Sequence, residues 1–143
     1  FLAEILSNTI NEEAEDKMLF RFIENSLRWL DNSRDTANFH ISFLLKLSLY
    51  LGFYPDTSTI TKPYFNLLEG NFQDVSIGKY NEIGTIIDNL KMFFGIDFDK
   101  INEIKLTKNQ RSDLLSLLLK YYQLHLHGFK KPKSLIVLNQ IFE

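Results

Sequence analysis

The sequence predicts a mainly α-helical, bundle-like domain with one loop or small hairpin excursion near residues 53–75. Three observations predict it. Glycine and proline are scarce, at six and three in 143 residues, and long stretches run without either. Hydrophobic residues make up 45% of the chain, enough to bury a core and too many for a disordered segment. They recur at three- and four-residue spacing through most of the chain, which is the period of an amphipathic helix.

The elements follow in order. Phe1 to Ile10 reads as one short helix, with Phe1, Leu2, Ile5 and Leu6 on one side. Asn11 is placed to cap the next helix, because its side-chain oxygen can accept an orphan backbone N–H. Glu12, Glu13, Glu15 and Asp16 then sit where the positive helix end favours acids. Leu19, Phe22, Ile23 and Leu30 follow at helical spacing, until Asp31, Asn32 and Ser33 stop the run. A third helix spans about Asn38 to Leu51 and ends at Gly52. Phe39, Phe43, Leu47 and Leu51 recur every four residues, with Ile41, Leu44, Leu45 and Leu49 on other faces. A helix apolar nearly all round is a central, buried one. Lys46 is its only charge, so it either reaches solvent along its stem or faces a functional groove.

Residues 53–75 change character. Tyr54-Pro55-Asp56 is a turn signal, and Tyr64 to Phe72 is aromatic at its ends with Glu69-Gly70 near a bend. A small hairpin or ordered loop fits better than a helix. Helical spacing resumes at about Lys79, with Ile83, Ile86, Ile87, Leu90, Phe93 and Phe94 inward and Gly95 at the end. Asp97 to Glu103 adds one more turn. Thr107 and Gln110 have capping-box spacing and open the longest helix. Leu114, Leu115, Leu117, Leu118, Tyr121 and Tyr122 carry its core side, and Gly128 closes it. Pro132 breaks the chain. Ser134 caps a last helix with Leu135, Leu138, Ile141 and Phe142 inward.

Composition narrows the chemistry. The absence of cysteine excludes a disulfide scaffold, a thiolate nucleophile and every cysteine-based zinc or iron–sulfur site. Only three histidines are present. His125 and His127 are two apart, which on a helix is about 200°, so they read as helix-end residues. His40, beside Phe39, reads as a hydrogen-bonded histidine at the core edge. No phosphate-binding glycine loop, H-E-x-x-H or nucleophile elbow is present. No catalytic residue, metal site or cofactor is expected. No apolar run approaches the roughly 20 residues of a membrane-spanning helix. The chain opens on Phe1 with no basic region before the apolar run, so it reads as a piece of a longer protein and not as a signal peptide.

The formal net charge of −2 hides an asymmetry. Residues 1–99 carry net −7 and residues 100–143 carry net +5. The basic set is Lys105, Lys108, Arg111, Lys120, Lys130, Lys131 and Lys133, around a helix bearing Tyr and His. Such a set neutralises phosphates with strong salt dependence. It can equally hold an acidic peptide, or serve as a solubilising surface.

Several segments together carry a family resemblance. FLAEIL at Phe1–Leu6, NFHISFLLKLSLYLGF at Asn38–Phe53, YFNLLEGNF at Tyr64–Phe72 and RSDLLSLLLKYYQLHLHGFKKPKSLIVLNQIF from Arg111 to Phe142 occur in that order. Their joint pattern resembles the C-terminal domain of the bacterial DNA repair and recombination protein RecO. The resemblance implies one helical domain over residues 1–143, an N-terminal OB-fold upstream and a cytoplasmic location. It implies no enzymatic activity. The family binds and anneals DNA strands. With RecR it loads RecA onto strands coated by single-stranded DNA-binding protein (SSB), and some members dock the acidic, Phe-ending tail of SSB. Arg111, Lys133 and Ser134 match polar parts of the pattern. Two places are candidates for the tail: the groove beside Lys46 and the basic C-terminal stretch. Many relatives carry a four-cysteine zinc site in or beside the aromatic loop. Here Gly52 to Ser76 has no cysteine, so zinc is not carried over and Tyr54, Tyr64, Phe65 and Phe72 must hold the loop. DNA binding through this domain alone is expected to be weak. The alternative is a helical protein-interaction or ligand-binding regulatory domain unrelated to DNA.

Overall fold

A computed structural model describes residues 1–9, 17–130 and 132. The elements run α1 (Leu2–Thr9), α2 (Lys17–Asp31), α3 (Phe39–Leu51), β1 (Tyr64–Asn66), β2 (Asn71–Gln73), β3 (Asn81–Glu82), α4 (Thr85–Lys91), a 3₁₀ helix (Phe98–Glu103) and α5 (Lys108–His125). The expected cap at Asn11, the acids at 12–16 and the last helix from Ser134 lie outside the described residues.

Helix α3 is the centre, as its all-round apolar pattern predicts. Phe39, Ile41, Phe43, Leu44, Leu45 and Leu47 are buried, covered by α2, α5 and the 3₁₀ helix. The exception is Leu49, which is 60% exposed. Gly52, at φ 93°, ends the helix. Its N–H donates to Leu49 O, and the Phe53 N–H reaches back to Ser48 O at 3.0 Å, which satisfies carbonyls the helix leaves orphaned. At the other end Asn38 does not cap. Its Nδ2 donates to Ile101 O and Ile104 O at 2.8 and 2.7 Å, tying α3 to the 3₁₀ helix.

Helix α5 starts with the expected capping box: Gln110 N donates to Thr107 Oγ1 at 3.1 Å and Thr107 N to Gln110 Oε1 at 2.9 Å. Leu114, Leu115, Leu117, Leu118, Tyr121 and Tyr122 are all buried, with Leu119 besides. Tyr122 Oη donates to Leu44 O of α3 at 2.5 Å, a buried polar group satisfied across the interface. The helix ends at His125, before the expected stop. Gly128 comes later, at φ 78° in the following turn.

The excursion is a three-stranded antiparallel sheet in the order β2-β1-β3. Phe65 pairs with Phe72 and also with Glu82. The expected hairpin is β1–β2; β3 falls where the spacing predicted a helix. Leu67 N donates to Tyr80 O at 2.8 Å and Asn81 Nδ2 to Ile77 O at 2.5 Å, which fixes this stretch beside β1. Gly84, at φ 94°, then separates strand from helix, so α4 begins only at Thr85 and Ile83 is 51% exposed instead of buried. Phe65 and Phe72 pack with ring centroids 5.0 Å apart, and Thr59 Oγ1 donates to Phe72 O at 2.7 Å. Tyr54 meets Phe94 edge-on. An aromatic core with backbone turns fills the region, and its residues do not fit a zinc site.

His40 packs edge-on against Phe1 and Phe39. It is not hydrogen-bonded through Nδ1, contrary to expectation: that atom is buried without a partner.

Two predictions follow from this packing. Gly70 sits at φ 69°, and a Cβ there would lie 2.8 Å from the Tyr121 hydroxyl, which itself donates to Phe53 O. Gly52, also at positive φ, has open space around it. Gly52→Ala should cost roughly 1 kcal/mol from backbone strain, and Gly70→Ala about 1–3 kcal/mol more from the clash, read by urea denaturation. Burial lowers the His40 pKa to about 4. The unfolded chain therefore binds the extra proton first, and the stability held above pH 6.5 is lost as pH falls towards 4. Between pH 7 and 5, wild type should lose about 2 kcal/mol more than His40→Gln in the same urea titrations.

Candidate partner groove

A cleft of about 460 Å³ lies where α2, α3 and the 3₁₀ helix meet. From α2 come Met18, Arg21, Phe22, Asn25, Ser26 and Trp29. Their spacing of three and four residues places them on one helix face. From α3 come Lys46, Leu49 and Tyr50, also one face, and from the start of the 3₁₀ helix Asp97, Phe98 and Asp99. The wall is aromatic. Phe22 stacks on Tyr50 and Phe43, with centroids 4.6 and 5.5 Å apart. Trp29, the only tryptophan, stacks on Phe98 at 5.3 Å. Its Nε1 donates to Asp99 Oδ1 at 3.2 Å, which fixes the indole. Exposed Met18 and Leu49 form apolar lips.

Lys46 supplies the charge. Its Nζ lies 5.4 Å from the Phe98 ring centroid, a cation–π contact. Partial burial lowers its pKa, and Asp97 acts against this by raising it. The groove can therefore take an apolar or aromatic group against its rings and an anion against Lys46 and Arg21. Of α3, Lys46, Leu49 and Tyr50 line this cleft, while Phe39, Phe43, Leu44 and Leu47 are buried in the core. Lys46 alone is legible in the sequence, as the one charge in an apolar helix. Arg21, Trp29, Tyr50 and Phe98 were missed, since each reads as an ordinary helix residue until packing joins them.

The basic set is spread out. Lys105 Nζ donates to Asn102 O, and Arg111 Nη1 to Leu106 O, both at 2.8 Å. These two and Lys108 surround the start of α5. Lys120 lies about 18 Å along the helix from Lys108, and about 180° round from Arg111. Its Nζ is 5.6 Å from the Tyr80 ring centroid. Lys130 is exposed beyond the far end. Lys131 and Lys133 lie outside the described residues, as does Ser134. His125 stacks on Phe53 and packs against Tyr121; its Nε2 lies 2.6 Å from Leu67 O, so that nitrogen carries the proton. It anchors the sheet to α5, while His127 is exposed. Among the described residues no three His, Asp or Glu side chains gather as a metal site, and no helix is long and apolar enough to cross a membrane.

Fold and groove define a helical domain with an aromatic cleft edged by Lys46 and Arg21. A family model for the C-terminal part of recombination protein O matches residues 1–135, and the chain belongs to that family. The DNA repair protein RecO of Christiangramia forsetii is 51% identical over 142 residues, 99% of this chain and 59% of that protein. The protein of the same name from Flavobacterium psychrophilum is 43% identical over 143 residues, again 99% of this chain and 59% of that protein. That of Bacteroides fragilis is 34% identical over 151 residues, all of this chain and 61% of that protein. The chain thus spans about three-fifths of these relatives and corresponds to their C-terminal part. No solved structure is significantly similar to it.

The groove yields a titration test. The Lys46 ammonium should titrate below the usual lysine range, followed by side-chain NMR. Asp97→Asn should lower it further, because the carboxylate is what holds it up. An Asp97→Asn variant with Lys46 shifted upward would contradict this geometry.

Proposed function

We propose that this domain serves a non-enzymatic mediator of recombinational DNA repair, and that its groove beside Lys46 seats the acidic, Phe-ending tail of SSB. Family membership supports the repair role. The half-buried ammonium at the edge of an aromatic cleft carries the docking reading. A terminal Phe ring enters between Phe22, Trp29, Tyr50 and Phe98, where burying it contributes roughly 2–3 kcal/mol. The terminal carboxylate meets Lys46, and preceding acids run past Arg21, away from Asp97 and Asp99. Those two carboxylates repel an acidic chain laid the other way, so they set its direction. In the whole protein, acting in the cytoplasm with RecR to load RecA, the domain brings the mediator to SSB-coated strands. Its own contact with DNA is weak and runs through phosphates. The scatter of Lys105, Lys108, Arg111, Lys120 and Lys130 favours the Lys46 groove over the basic stretch as the tail site.

Polarisation with a fluorescein-labelled acidic peptide ending in Phe tests this. Lys46→Met keeps the bulk and removes the charge, and should weaken binding roughly 10- to 100-fold. Lys46→Arg should retain most of it, and a peptide lacking the terminal Phe should not bind. Substituting Lys105, Lys108 and Arg111 together by Glu should change little. Loss in that triple variant with none in Lys46→Met would overturn the reading.

A further inference from the structure

On the side of the molecule formed by the sheet and α5, two lysines far apart in sequence converge on one tyrosine. Lys79 Nζ lies 5.3 Å from the Tyr80 ring centroid, and Lys120 Nζ of α5 lies 5.6 Å from it. Bringing two ammonium groups to one ring costs Coulomb energy. Neither makes an ion pair among the described residues. The Tyr80 backbone is held beside β1 by the Leu67 N–H on its carbonyl.

Beside the ring is a second cleft, about 360 Å³, lined by Asn66, Asn71, Gln73, Glu69 and Tyr80 among others. Its amides already form a connected set. Asn66 Nδ2 lies 3.4 Å from Gln73 Oε1, and Gln73 Nε2 donates to Asn71 Oδ1 at 2.9 Å. Amide side chains offer both donors and acceptors, the functional groups that read base edges. The Glu69 carboxylate disfavours a phosphate inside the cleft but accepts from an amino or imino group. The two lysines at the rim have the opposite preference. An aromatic face, cations at the rim and a cleft of amide donors and acceptors are what an unpaired nucleotide needs together.

We infer that Tyr80, Lys79 and Lys120 form a binding site for single-stranded DNA, with a base against Tyr80 and the amide cleft and its flanking phosphates on the two lysines. This deepens the proposed function, since it rests on the weak DNA contact stated there and places it. It also separates Lys120 from the rest of the basic set.

The test uses the chain itself and a fluorescein-labelled twenty-nucleotide oligothymidylate at low salt. Lys79→Gln/Lys120→Gln should weaken binding about tenfold and reduce the slope of log affinity against log salt by about 1.4, at about 0.7 for each lost phosphate contact. Tyr80→Leu should weaken it about tenfold with the salt slope unchanged, and Tyr80→Phe should restore it. The charge-matched Lys17→Gln/Lys100→Gln should bind within about twofold of wild type. Three results would overturn the site: no binding by wild type, an equal loss in the Lys17/Lys100 variant, or wild-type affinity in Tyr80→Leu. The Phe-ending acidic peptide is run in parallel. If wild type binds DNA but not the peptide, the groove reading fails and this one stands. If Lys79→Gln/Lys120→Gln loses the peptide as well, the lysines serve acids in general and the DNA site is overturned.

Discussion

Thirteen residues from Phe39 to Leu51 form a helix that must lose water on nearly every side. Leu, Ile and Phe side chains each gain roughly 1.5–3 kcal/mol from full burial, so neighbours are drawn onto every apolar face of α3. Helix α5 covers one side and contributes the Tyr122 hydroxyl to a carbonyl of α3. Helix α2 covers another. The 3₁₀ helix is held against its start by Asn38. These partners leave one edge incompletely covered, and there Lys46, Leu49 and Tyr50 face the cleft. The groove is thus a consequence of how α3 is packed. Lys46 interrupts the apolar pattern where the cover is incomplete, and α2 and the 3₁₀ helix line the gap with rings.

The excursion shows a second solution to an ordering problem. A short sheet needs either a staple or an apolar face against something larger. Phe65, Phe72 and Leu67 are buried, and Tyr121 and His125 of α5 grip the region through Phe53 O and Leu67 O. Gly70 lets the backbone pass close to the Tyr121 hydroxyl. The segment without cysteine is therefore ordered by rings and carbonyl contacts from α5. That brings Tyr80 and Lys120, from sheet and helix, to the same side of the molecule.

Much of this was legible from residue order. The all-round apolar pattern of α3, the stop at Gly52, the Thr107–Gln110 box and the core side of α5 are local rules, and the chain obeys them. The family was legible from four hydrophobic segments in sequence. The misreadings arise where tertiary contacts override local pattern. Residues 79–83 have helical spacing, yet pairing with β1 and the positive φ of Gly84 make them strand and turn. Ile83 was assigned to the core on that spacing and lies in solvent. Of the candidate groove, only Lys46 could be seen in advance, because one charge in an apolar helix is anomalous. Trp29 and Asp99 are joined across 70 residues, and Lys79 and Lys120 meet at Tyr80 only once α5 lies beside the sheet. No spacing rule reaches that far.

The central claim is that the uncovered edge of α3 is the partner site of this domain. Chemical-shift mapping of the labelled chain against an acidic, Phe-ending peptide tests it most directly. The account predicts that the Trp29 indole N–H and the amides around Arg21, Lys46, Tyr50 and Phe98 move together and saturate with one affinity. Shifts centred on Lys105, Lys108 and Arg111, with the Trp29 indole unmoved, would contradict it.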